Sequence, residues 1–317
     1  MTILVTGGLG VNGIWVVRSL SEKGIDVIAM DVMPESSVSN LPKGVRYVQG
    51  DVTDLQSLQA CLAANRVDVI IHMGVIILAD RDPYQAFNVN AMGTVNVLEA
   101  ARRTNVRRVV YTSSRAVYGQ IEGEYGHPTY KPLPEEYPRQ SLSGGLLVYS
   151  SSKIFSEDAG LHYKNSFGLE FAALRFGTIY GPGKSVHHGP MALYSNILEP
   201  SVTGQSVRIP AGGDQPDDIV YVKDIAQGIV KAATVETLGH TAYNIGSGRL
   251  TTPKQYAEAV KSVIPDADIE VGSGLDPMGF GSVYLVMDIQ KAESDLGYKP
   301  AFSLQEGVSD YIAMMRQ

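Results

Sequence analysis

The chain has 317 residues, 44% hydrophobic and 19% charged, the balance of an ordinary globular protein long enough to bury a large core. A net charge of -7 argues against a nucleic-acid binder, because phosphate contact needs a basic face and no run of Lys or Arg is present. The one cysteine, Cys61, excludes an internal disulfide and fits a reducing compartment, the cytoplasm; within "LQACLAAN" it reads as a small core residue.

The first half alternates β-branched runs with amphipathic segments. "TILVT" (2–6), "DVIAMD" (26–31), "VRYVQGD" (45–51), "VDVIIH" (67–72) and "VRRVVYTSS" (106–114) read as strands covered on both faces. "VNGIWVVRSLSEKG", "LQSLQACLAAN" and "PYQAFNVNAMGTVNVLEAARRT" between them have helical spacing, which predicts a doubly wound parallel α/β sheet of Rossmann-like type. The apolar pattern opens at once as a strand, so no secretory signal is expected. The longest apolar stretch, "VIIHMGVIILA" (69–79), is broken by His and Gly and falls short of the about 20 residues a membrane helix needs. "RRTNVRR" (102–108) reads as the basic last turn of a helix.

Residues 115–148 interrupt the rhythm with Gly, Pro and Tyr and predict a long surface loop, with 120–146 a candidate lid. A helix is expected from about Val148, a strand from about Leu169, and helices near 190–203, 223–235, 252–263 and 304–315. The predicted division is an NAD-binding domain of residues 1–180, with 218–247 returning to it, and a smaller C-terminal α/β substrate lobe of 181–217 and 248–317.

Gly7, Gly10 and Gly13 fall between the first strand and the first helix. The first permits a tight turn, the second lets backbone approach a pyrophosphate, and the third lets helix and strand pack. The helix start, with Val11 and Asn12, offers free N–H groups to phosphates. Asp31 ends the second strand, placed to accept both adenosine ribose hydroxyls and to repel a 2′-phosphate, which favours NAD over NADP. Asp51 and Val52 stand where an adenine could be bonded and covered, or "DVTD" caps the next helix.

Tyr149 and Lys153 lie four apart, on one face of a helix. A free phenol is a poor base near neutrality, and a neighbouring ammonium together with the positive nicotinamide ring is expected to lower its pKa. Tyr149 would take a proton from a substrate hydroxyl, while Lys153 would depress the phenol's pKa and hold a ribose. Ser114, at the carboxyl end of "VVYTSS", is the candidate hydroxyl for the substrate oxygen; Thr112 and Ser113 are expected to bond within the sheet.

These pieces, with "IHMG", "NVNAMGTVNVLEAAR", "YTSSRAVYG", "YSSSK", "LRFGTIYGPG", "DIVYVKDIA" and "YNIGSG", resemble the extended short-chain dehydrogenase/reductase family, the NAD-dependent sugar epimerase/dehydratase group. The resemblance implies Tyr149 as acid/base, Lys153 as its partner and Ser114 as the orienting hydroxyl. It also implies Met73, Gly74 and Asn90 around the cofactor, and a homodimer through helices near 88–104 and 149–166. The chain departs from the nucleotide-sugar members in three places: Thr178 replaces an Asn, Asp217 an Arg, and "PMGFGSVY" (277–284) an Arg-bearing segment. Two cations are lost and an anion gained where a diphosphate would sit, so the expected substrate is a small alcohol or sugar-like compound without one. Arg115 and Ala116 follow Ser114, where dehydratases of the group resemble one another in having an acidic pair. Val75, Ile76, Ile77 and Leu78 either pack under a loop or line the cleft; Arg115, Thr178 and His188 are candidate substrate contacts, with His187 beside them. No ligand spacing suggests a metal. The sequence leads to a dehydrogenase, with an NAD-retaining epimerase as the alternative.

Overall fold

The computed structural model describes residues 1–38 and 41–316. The five early β-branched runs form β1 (Thr2–Thr6), β2 (Asp26–Asp31), β3 (Arg46–Gln49), β4 (Val69–His72) and β5 (Arg108–Ser114). They are followed by β6 (Glu170–Phe176), β7 (Thr178–Tyr180), β8 (Val207–Ile209), β9 (Asp217–Tyr221), β10 (Ala242–Ile245), β11 (Leu250–Thr251) and β12 (Ile269–Val271). A seven-stranded parallel sheet runs in the order β10-β6-β5-β4-β1-β2-β3. Strand order reverses between β1 and β4, and such a switch point opens a crevice at the carboxyl ends of the strands.

Helices cover both faces, which is why the central strands are apolar throughout. Ile3 and Val5 pack with Val16 and Val17 of α1 (Gly13–Glu22) and Ile229 of α8 (Val222–Thr234). Leu4 faces the other way, with Leu58 and Leu62 of α2 (Leu55–Asn65) and Val97 and Leu98 of α4 (Gly93–Arg103). The helix expected over 83–104 is split: α3 (Pro83–Phe87) and α4 are joined by a π turn, Asn88–Met92. Single-turn π segments are frequent at functional sites. α5 (Leu147–Phe167) carries the Tyr–Lys pair.

The rest of the chain contains α6 (Lys184–His188), α7 (Leu193–Val202), α9 (Pro253–Val263), α10 (Gln290–Leu296) and α11 (Leu304–Met315). Two small sheets, β11-β9-β7 and β12-β8, lie outside the main one. Tyr180, Tyr194, Tyr221, Tyr256 and Tyr311 fill the core beneath them. β10 returns to the main sheet beside β6, whereas β7 and β9 pair with each other.

Residues 115–148 are not the surface loop the sequence suggests. Val117, Tyr118, Ile121 and Leu133 are buried against Leu285 and Met287, and Tyr130 and Leu142 against Val283 and Tyr284. Leu133 exchanges backbone bonds with the C-terminal segment, accepting from Asp288 N–H at 3.0 Å and donating to Val286 at 2.8 Å. The apolar residues scattered among its Gly and Pro are anchors. The basic patch also divides: Arg102 and Arg103 end α4 on Glu99, but Arg108 starts β5. Its fully buried guanidinium donates to the carbonyls of Ala232, Val235 and Glu236 at the end of α8, and to Glu170.

Candidate active site

A cleft of about 770 Å³ follows the carboxyl ends of the strands, from Asp31 past the glycine turn to Tyr149 and on to Tyr284. At its first end the chain folds back with no room for side chains. Gly7 has φ +65, and a Cβ there would lie 2.8 Å from the Gly74 nitrogen. A Cβ on Gly13 would lie 2.1 Å from the Gly7 carbonyl oxygen. The start of α1 is thereby pressed against β1, leaving Gly10, Val11 and Asn12 on the cleft wall. The Asp31 carboxylate is aimed by two backbone donors, Leu9 N–H at 3.1 Å and Val32 N–H at 2.9 Å. Asp51, Val52, Met73 and Gly74 complete this end. A cradle closed to side chains, a helix start and a fixed carboxylate fit a dinucleotide.

A hydrogen-bond chain ties this end to the π turn. Met73 N–H donates to the Thr6 hydroxyl at 3.2 Å, and Thr6 donates to His72 Nδ1 at 2.7 Å. His72 Nε2 meets Thr94 Oγ1 at 3.1 Å, and Thr94 donates to the Asn90 carbonyl at 2.7 Å. The chain closes with a neutral imidazole, and burial pushes the His72 pKa down to about 3. Asn90, expected at the cofactor, is 2% exposed and faces the loop behind the cleft instead. Its carboxamide accepts from Ile76 N–H at 2.7 Å and donates to Ile76 O at 2.9 Å. Val75, Ile76, Ile77 and Leu78 line the cleft, and Ile76 also packs against Ala79, Ala86 and Val148.

At mid-cleft α5 brings Tyr149 and Lys153 to Ser114 at the end of β5. Thr112 donates to the His72 carbonyl at 3.0 Å and Ser113 to Glu157 at 2.6 Å, so Ser114 is the hydroxyl left for the cleft. Lys153 is 3% exposed, donates to Thr112 O at 2.6 Å and lies 5.6 Å from the centre of the Tyr149 ring. Burial pulls its pKa down to about 7. Burial raises the Tyr149 pKa, and Ser114 is the neighbour that pulls it back. In the free protein, Ser114 and not Lys153 is the neighbour that lowers the phenol's pKa. Desolvation dominates both groups, and the ammonium is directed to a carbonyl.

Beyond Tyr149 the wall is formed by Arg115, Thr178, Tyr194, Gln215, Asp217, Met278, Phe280 and Tyr284. Asp217 does not stand as a free anion. Arg115 forms an ion pair with it, bonds Thr178 at 3.0 Å and donates to Val283 O at 2.6 Å. Thr178 in turn donates to Asp217 at 2.7 Å. This end is thus closed upon itself in charge and lined by Met and Phe. His187 and His188 line the cleft near Lys184, a residue the sequence analysis did not single out. Among the described residues no cluster of His, Cys, Asp or Glu suits a metal.

A dinucleotide cradle opening directly onto a tyrosine, a lysine and a serine defines an NAD-dependent enzyme that interconverts alcohol and carbonyl. The model of the NAD dependent epimerase/dehydratase family matches residues 3–246, and the chain belongs to that family. A Methanocaldococcus jannaschii protein named "Putative UDP-glucose 4-epimerase" is 30% identical over 99% of this chain and 98% of its own. The UDP-glucose 4-epimerase of Mycolicibacterium smegmatis is 28% identical over 100% of this chain and 99% of its own. Among solved structures, the Thermotoga maritima UDP-glucose 4-epimerase with UDP-glucose superposes with a TM-score of 0.86 at 26% identity, covering 100% of this chain and 99% of that one. The Thermus thermophilus UDP-glucose 4-epimerase in complex with NAD gives 0.82 at 27%, with the same coverage. NAD is the cofactor, and no described helix is long and apolar enough to cross a membrane.

Proposed function

We propose that the protein oxidises a secondary alcohol of a small sugar-like or hydroxy compound that carries no nucleoside diphosphate. Tyr149 takes the proton from the substrate hydroxyl. Ser114 holds that oxygen, and Lys153 supports the phenol while remaining bonded to the Thr112 carbonyl. NAD, held by the glycine turn, Asp31, Asp51 and Val52, supplies the hydride acceptor when bound. The substrate's carbon face lies on Val75 and Ile76, with Arg115 and Thr178 from the 1–180 domain and His188 from the lobe of 181–217 and 248–317 as polar contacts.

The observation that carries the substrate class is the pairing of Arg115 with Asp217 beside Met278 and Phe280. A diphosphate needs uncompensated donors, and here the guanidinium is already matched by a carboxylate. The test is NAD reduction across free sugars, sugar acids and hydroxy acids, with UDP-sugars alongside. Turnover confined to UDP-sugars would reject this substrate class.

A second reading, an epimerase that keeps its NAD, is supported by the whole-length similarity to the UDP-glucose 4-epimerases. Such an enzyme must turn its ketone over while tethered, and a diphosphate tether would have to compete with Asp217 for Arg115. NADH accumulating in solution supports the dehydrogenase; NAD retained through purification without net reduction supports the epimerase. We also propose a cytoplasmic homodimer. Met92 before α4 and Phe155, Leu161 and Phe167 on α5 are large apolar side chains left in solvent, and sedimentation velocity tests the pairing.

A further inference from the structure

Among the described residues, Lys184 is the one buried ammonium in the cleft that the chemistry above leaves unused. It starts α6, is 2% exposed, and its Nζ lies 2.7 Å from Asn12 Oδ1. Asn12 immediately precedes Gly13, so the ammonium sits against the glycine turn, 172 residues away in sequence. Its partner there is a neutral amide. Among the described residues no carboxylate lies within ion-pairing distance of it. The acid facing the start of α6 from α7, Glu199, is taken by Gly183 N–H at 3.1 Å, by the Ser185 hydroxyl and by the Tyr311 hydroxyl from α11. The other ionisable groups on α6 are His187 and His188, both on the same cleft wall.

An ammonium buried against a neutral amide is costly unless an anion joins it. The free protein shows that cost: burial alone brings the Lys184 pKa down to about 7. His188 is pushed to about 4 by burial, then by Lys184, then by His187. Lys184 thus meets a turn built to receive phosphate, with His187 and His188 on the same cleft wall.

We propose that Lys184, with His187 and His188 beside it, forms a cationic site that holds the diphosphate of the bound dinucleotide at the glycine turn. The turn supplies backbone N–H groups and the helix dipole behind them. Lys184 supplies a full charge at the same turn, beside Asn12. The site concerns the dinucleotide alone and is independent of which alcohol the enzyme uses. It also makes binding a proton-linked event, because an anion that favours the ammonium raises its pKa.

The experiment is calorimetry on the purified protein with NAD, ADP-ribose and adenosine, none of which requires turnover. Lys184→Gln is expected to weaken NAD and ADP-ribose binding by about tenfold to a hundredfold, the worth of one charged hydrogen bond, and to leave adenosine binding unchanged. In buffers of different ionisation enthalpy at pH 7, the native protein takes up about half a proton more per NAD than Lys184→Gln does. Lys184→Arg, permanently charged, keeps the affinity without that uptake. Thermal unfolding checks the fold, and Lys184→Gln without ligand should be at least as stable as the native protein. Equal affinity of native protein and Lys184→Gln for ADP-ribose overturns the proposal. So does equal weakening for adenosine, which would show general damage to the site.

Discussion

Replacing Asp217 by Asn removes the charge that balances Arg115 and leaves the side chain's size almost unchanged. Asp217 and Arg115 are 5% and 14% exposed at their side chains, so neither is well served by water. Removing one partner of a buried ion pair costs about 3–5 kcal/mol. Arg115 keeps its bonds to Val283 and Thr178, and its slight exposure gives partial solvation, so about 2–4 kcal/mol is the reasoned loss. Urea unfolding reads it as a lower midpoint at unchanged slope. Arg115→Met in the same chain should recover part of the loss, with a coupling of about 2 kcal/mol in the double-mutant cycle. The freed guanidinium should also bind UDP about tenfold tighter than the native cleft does, one charged contact being worth that much. A destabilisation below about 0.5 kcal/mol, with UDP affinity unmoved, would refute the idea that this pair cancels charge at the substrate end.

Tyr149→Phe should lower kcat by about a hundredfold to ten-thousandfold, while the NAD dissociation constant, followed by fluorescence titration, stays within about twofold. Asp31→Ser removes the ribose acceptor and the repulsion of a 2′-phosphate; NAD binding should weaken by about tenfold and NADP binding should appear. Stability should rise with pH between about 7 and 10. Lys153 and Lys184 release their protons near pH 7 when folded but near 10.4 when unfolded, so the unfolded chain binds more protons across that window. Each contributes up to about 1.4 kcal/mol per pH unit, and urea midpoints of Lys153→Met and Lys184→Met should each show a shallower rise.

The main sheet was legible because both its faces are covered, which forces unbroken apolar runs such as "TILVT" and "DVIAMD". The glycine turn, Asp31, Ser114 and the Tyr–Lys pair were legible because each is local. What was not legible is what joins distant stretches. Arg115 meets Asp217 across 102 residues, and no periodicity records the pairing. Asp217 therefore read as a bare anion from the sequence. Residues 115–148 read as loop because Gly and Pro outweighed the isolated Val117, Tyr118, Ile121 and Leu133, whose partners lie near 283–287. The π turn gave no sign because "NVNAMGTVN" keeps helical spacing through it. Asn90 was placed around the cofactor by resemblance, and its carboxamide bonds the Ile76 backbone. Lys184 looked like one loop lysine among others, since its contact with Asn12 exists only in three dimensions.

The grip of Asn90 on both backbone groups of Ile76 divides the cleft into a rigid wall and an adjustable one. The rigid side is stapled to the helix behind it, so swapping residues there disturbs the scaffold before it alters selectivity. The side around Met278 and Phe280 lies outside the main sheet and is held through side chains, Asp276 accepting from Phe280 N–H at 3.0 Å and Gln120 donating to Phe280 O at 3.0 Å. Descendants of this enzyme, natural or bred in the laboratory, should acquire new substrates by changing that side and inherit the Ile76 side intact.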